Sequence, residues 1–134
     1  MMKINITTTK DKELVDITDG INEMLAQSKK RNGLCHLFLP HSTAGLTTAL
    51  ISPENELDLI DAFDVVLPHV SSQSHKYEHS HIISRLPDHI ISSFLGTSLA
   101  IPFENGKLAL GEFQAVVLVE LNGPRKRTVL LYYD

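Results

Sequence analysis

Histidine is the residue type whose number and placement first suggest chemistry, with seven in a chain of 134 residues. His41 stands in the run Leu39-Pro40-His41-Ser42-Thr43-Ala44-Gly45, just past an apolar stretch. A histidine at a strand end is better fixed than one in a free loop. The small and hydroxylated residues after it leave room for a ligand. His79 and His89 lie ten residues apart, far along the chain from His41. Three neutral imidazoles with one open position would make a catalytic site for zinc or a similar divalent metal. No two of the three have the helical spacing of a local metal motif, so spacing alone does not assemble the site. A structural role is the commoner fate of any single histidine, and His36, His69 and His75 are read that way. His81 competes with His79. On an extended segment the two would face opposite sides, so only one would look into the site.

Several polar residues could complete such a site. Glu120 closes an apolar run just before a turn. It could act as a general acid or base, could be a fourth ligand, or could be an exposed carboxylate at a strand end. Arg125 and Arg127 share a face if both lie on one strand. Two guanidiniums so placed would fork around a phosphate or carboxylate. The alternative is a charged edge strand that discourages aggregation. Ser42, Thr43 and Gln114 could orient the bound group.

The elements that must hold these residues follow from periodicity and breaker signals. Lys3 to Thr9 and Glu13 to Thr18 alternate as strands around the turn Lys10-Asp11-Lys12. Thr18 or Asp19 can cap a helix reaching about Asn32, with Ile21, Met24, Leu25 and Ser28 on one face and Gly33 as the stop. Leu34 to Leu39 and Leu46 to Ile51 read as strands. Ser52 caps a helix with Pro53 as its first residue, and Leu57, Ile60 and Phe63 keep helical spacing until Pro68. The stretch from His69 to His81 is polar, irregular and too long for a turn. A short helix opens at Pro87 and closes at Gly96. Ser98 to Phe103, Lys107 to Gly111, Phe113 to Leu121 and Arg125 to Tyr133 then form a strand meander, with Asn105-Gly106 as a hairpin turn. The expected fold is α+β: one compact domain over residues 1–134, mixed or antiparallel sheets, two to three helices and the C-terminal meander.

Composition narrows the function. A formal net charge of −4 argues against a nucleic-acid binder. No apolar run approaches membrane-spanning length, and the N-terminal residues carry no apolar leader block. A soluble cytoplasmic protein is expected. The single cysteine, Cys35, sits in an apolar strand and reads as a buried, inert thiol. It also makes a structural zinc site, which favours cysteine ligands, the weakest metal reading.

An ordered set of residues resembles the YjbQ-like family, often called secondary thiamine-phosphate synthase enzymes. The set comprises Pro40 through Gly45, Glu54-Asn55, Tyr77-Glu78-His79, His89, Gly96, Ile101-Pro102, Asn105 through Gly111, Gln114, Glu120, and Gly123 through Arg127. The resemblance implies a trimeric α+β domain whose metal, taken as zinc, is bound at positions matching His41, His79 and His89. The resemblance also implies weak thiamine-phosphate synthase activity, joining a pyrimidine pyrophosphate to a thiazole phosphate with release of pyrophosphate. For such an enzyme the residues read above put Asn55 with Ser42, Thr43, Gln114, Arg125 and Arg127 on the substrate side, and His41 and Glu120 on the catalytic side. The chain departs from the family pattern at Pro87-Asp88, where an Asn-Ala pair is common, and at Phe113, where a Trp is common. The expectation is therefore a metal-dependent enzyme acting on a phosphorylated small molecule. The alternative is a non-enzymatic trimeric module that binds a phospho-ligand or a metal and regulates something else.

Overall fold

The computed structural model describes residues 1–66 and 86–134. The expected irregular stretch from His69 to His81, with Pro68, His79 and His81, lies outside the described residues.

The elements run β1 (Met2–Thr7), β2 (Glu13–Asp16), α1 (Thr18–Gln27), β3 (Gly33–Phe38), β4 (Ala44–Ala49), α2 (Pro53–Val66), α3 (Leu86–Leu95), β5 (Ser98–Glu104), β6 (Lys107–Leu108), β7 (Ala115–Glu120) and β8 (Lys126–Tyr133). The described strands form two sheets, ordered β1-β8-β3-β5-β6 and β2-β7-β4. Every strand pairing in them is antiparallel. This is the expected α+β architecture.

β7 explains the layering. Its run Ala-Val-Val-Leu-Val has no polar alternation, the pattern of a strand covered on both faces. Val116 and Leu118 pack toward the five-stranded sheet, with Leu37, Leu46, Val129 and Leu131 and with Ile21 and Leu25 of α1. Val117 and Val119 point the other way, against Leu14, Ile91, Leu59 and Phe63. The three-stranded sheet is thus the middle layer, between the five-stranded sheet and the pair α2 and α3.

Several boundaries differ from those read in the sequence, each for a local reason. α1 stops at Gln27 because Ser28 turns extended, with ψ of 146°. The Ser28 hydroxyl then accepts from the Lys30 amide at 2.9 Å, closing a side-chain turn that competes with the helix. At the other end of α1, Thr18 does not cap with its side chain. Its hydroxyl accepts from the Val116 amide instead, at 2.9 Å. β6 stops at Leu108, whose amide is taken by the Asn22 side chain of α1. The chain then turns at Gly111, whose amide donates to Gln114 Oε1 while Gln114 N returns a bond to Gly111 O. The signals at α2 and at the β5–β6 hairpin hold. The Ser52 hydroxyl accepts from Asn55 N at 3.1 Å. Asn105 and Gly106 take left-handed φ values of 54° and 78°.

Candidate functional site

His41 leaves the end of β3 where β3 parts from β8. The β3–β8 pairing runs from Cys35↔Tyr133 to Phe38↔Leu130, so Thr128 has no ladder partner on that side. The His41 ring fills the gap: Thr128 N donates to Nε2 at 3.0 Å. An amide donating into Nε2 needs the ring lone pair, so the imidazole is neutral and carries its proton on Nδ1. Partial burial and, next, the nearby Arg127 charge push its pKa below the ordinary 6.5, against the opposing Glu120 charge.

His89 comes from the first turns of α3. One stripe of that helix carries His89, Ser92 and Ser93, with Gly96 just past the helix end, and these residues line an open cleft of about 600 Å³ together with His41, Ser42, Pro40 and Phe38. The neighbouring stripe of α3, with Asp88, Ile91 and Ser92, is buried. It seats the helix on β4, where the Ser92 hydroxyl donates to Ala44 O at 2.6 Å. The floor is tied together at Thr97, whose carbonyl accepts from Leu39 N at 2.7 Å. Residues 48 apart in the chain thus line one cavity, together with Ser42, Ser93 and Thr97.

The remaining site residues read from the sequence fall elsewhere. Glu120 is fully buried. Its Oε1 accepts from Leu121 N, Asn122 N and Arg127 Nη2, and its Oε2 accepts from Thr8 Oγ1 and Arg127 Nε. Burial alone would raise its pKa, but the Arg127 bond, the Asn122 amide and the Thr8 hydroxyl hold it below the ordinary 4.5. Arg127 is 4% exposed and is spent on Glu120 and on Thr43, whose carbonyl and hydroxyl both accept from Nη2. Arg125 precedes β8, lies exposed, and donates from Nε to Asn122 O. The two arginines therefore do not form an open fork, because the strand period does not extend back to residue 125. Thr43 is buried. Gln114 is occupied in its turn, and Asn55 bonds Leu50 O beside the start of α2. None of these is among the described residues that line the cleft. Lys12 and Asp88 were not singled out in the sequence. Lys12 Nζ lies 2.9 Å from the fully buried Asp88 carboxylate. Lysine in a turn and aspartate at a helix start each have common local explanations, so nothing in the sequence paired them.

This arrangement sits on a fold shared along the whole chain. Residues 2–133 match the family described as UPF0047 protein YjbQ-like. The chain belongs to that family. A UPF0047 protein of Archaeoglobus fulgidus is 32% identical over 130 residues, covering 97% of this chain and 98% of that one. The UPF0047 protein YugU of Bacillus subtilis is 33% identical over 129 residues, covering 93% and 92%. The crystal structure of a YjbQ/UPF0047 family protein from Clostridium acetobutylicum superposes with a TM-score of 0.88, at 32% identity over the full length of both chains.

Whether this YjbQ-like cleft suits a divalent metal depends on its donor set. Among the described residues no three His, Cys, Asp or Glu side chains are grouped to hold an ion. The described cleft supplies two imidazoles, and the third expected ligand, His79, lies outside the described residues. Borderline-soft divalent ions take such nitrogen donors. His41 meets one condition before it can ligate. Its one lone pair now accepts from Thr128, so the ring must give up that amide.

Proposed function

We propose that this YjbQ-like protein is a metal-dependent enzyme acting on a phosphorylated small molecule in the His41–His89 cleft. The observation that carries the reading is that His41 and His89 line the same cavity. In this reading the two imidazoles, with His79, hold a divalent cation, taken as zinc. Such a cation supplies Lewis acidity toward a phosphoryl or leaving oxygen when bound. The hydroxyls of Ser42 and Thr97 donate to the phosphate oxygens, while that of Ser93 is already given to His89 O. No lysine or arginine lines the described cleft. Arg125 of a neighbouring copy is then the natural source of positive charge, which fits a homotrimer. The outer face of the five-stranded sheet supports such packing, since Phe38 and Tyr132 are 47% and 57% exposed there. The thiamine-phosphate synthase reaction is the specific chemistry proposed.

The burial of Glu120 favours a second reading, a binding module without turnover. It removes the one carboxylate that sequence position suggested for proton transfer. One experiment separates the two. Purified protein is analysed for bound metal, then assayed with the pyrimidine pyrophosphate and the thiazole phosphate, beside His41→Ala and His89→Ala. Metal content and product formation that fall together in both variants support the enzyme. Retained ligand binding without product supports the module. Full activity in metal-stripped protein overturns the metal role.

A further inference from the structure

The cleft's two histidines sit on segments that share no backbone ladder, yet each is followed or preceded by a residue tied to one point. Thr43, two residues after His41, is gripped by Arg127 through both its carbonyl and its hydroxyl. Arg127 in turn forms a two-bond pair with Glu120 at the end of β7. Asp88, one residue before His89, is held by Lys12 Nζ at 2.9 Å. The same ammonium donates to Leu121 O at 3.2 Å. Glu120 and Leu121 are consecutive, so both polar struts converge on one spot. The β1–β2 turn braces that spot: Thr8 bonds Glu120 and Arg125, and Gly123 N bonds Asp11 O. A Cβ at Gly123 would stand 2.1 Å from Lys10 O, which shows how closely the two turns approach.

We infer that Glu120–Leu121 is a common anchor, and that Arg127 and Lys12 are positioning residues that set where His41 and His89 stand across the cleft. Hydrophobic packing alone fixes a strand end and a helix start loosely. Charged hydrogen bonds to buried partners fix them directionally. The Asp88–Lys12 strut fixes the start of α3 with a charge pair whose carboxylate is fully buried. The inference deepens the proposed metal site and rests on that reading for its functional meaning, though not for its geometry.

The test uses two readouts on the full chain. Amide hydrogen exchange in the metal-free protein follows Thr128, whose N–H depends on the His41 ring, and the first turns of α3. Zinc affinity is measured separately by competition with a chromogenic chelator. Arg127→Met should speed exchange at Thr128 more than across β7, and Lys12→Met should speed exchange in α3 while leaving Thr128 protected. Zinc affinity should fall in both by about 10–100-fold, the range seen when supporting partners of metal ligands are lost. Lys12→Arg, which can still reach Asp88, should restore the wild-type values. Uniform acceleration across all amides would mean that the struts serve only stability, and would overturn the inference. If Arg127→Met fails to fold, Lys12→Met and Lys12→Arg decide it alone. Wild-type protein that binds no zinc, with local exchange changes intact, defeats the metal reading and leaves the anchor standing.

Discussion

Arg127 and Glu120 meet between the two sheets with paired bonds, Nε to Oε2 at 2.8 Å and Nη2 to Oε1 at 2.5 Å. Val116, Leu118 and Glu120 share one face of β7, and Arg127, Val129 and Leu131 are the buried positions of β8. The pair is thus the polar end of a core that is otherwise apolar. Removing one partner leaves an uncompensated buried charge, which costs about 3–5 kcal/mol. Urea unfolding should show a loss of that order for Arg127→Met. In Glu120→Gln/Arg127→Met the combined loss should fall short of the sum of the single losses, because the two residues act as one unit. Additive losses would mean the pair is energetically uncoupled.

The same carboxylate makes stability depend on acid. Its pKa in the folded protein lies below the ordinary 4.5. The unfolded chain therefore takes up the proton first as pH falls. The stabilisation is complete above the ordinary value and is lost as pH drops through the lower folded one. His41, also lowered, acts with the same sign at higher pH, from 6.5 downward. Denaturation midpoints in the presence of a chelator should decline in two limbs on acidification. Glu120→Gln should flatten the lower limb and His41→Gln the upper.

Cys35 tests the packing of β3 directly. It is fully buried between neighbours of the main core, and burial pushes its thiol up to about 11. Little thiolate exists at neutral pH, and no reagent reaches it without opening of the sheet. A thiol-reactive chromogen should leave the native protein unlabelled and label one equivalent in urea. Rare opening over long incubation should label it slowly, and Arg127→Met should raise that rate about tenfold for each 1.4 kcal/mol of stability lost.

The sequence was most informative where a local rule had no competitor. Pro53 after Ser52 and Asn105-Gly106 each specify backbone through a single dominant preference, and the structure has the helix and the hairpin there. It was least informative about polar side chains, because burial decides their role and burial is a tertiary property. Arg127 and Glu120 read as reagents but stand as a closed pair. Ser28 reads as a helix-face residue but ends its helix. Lys12 and Asp88, 76 positions apart, gave no sign of contact before the fold joined them. His41 and His89 were legible as candidates by residue type. Their shared cleft comes from α3 lying across β4.

That packing of α3 on β4 has a narrow point at Gly45, opposite Leu95. A Cβ placed on Gly45 would stand 2.7 Å from Leu95 Cβ and 2.8 Å from Leu95 Cδ1. The first contact is with an atom next to the helix backbone, so rotating the leucine cannot relieve it, and Gly45→Ala must push α3 outward. Overpacking of this kind costs about 1–3 kcal/mol. It should also widen the cleft, because His89 moves with the helix while His41 stays with the β3 end. Leu95→Ala shortens the opposing side chain but keeps its Cβ, so the double variant Gly45→Ala/Leu95→Ala should regain only part of the lost stability. Gly45→Ala/Leu95→Gly removes that Cβ as well. It should restore the helix position, though not the stability, since glycine near a helix end and the lost leucine both cost. A crystal structure of Gly45→Ala with α3 unmoved would show that β4 yields instead, and the cleft width would then be set by the strand.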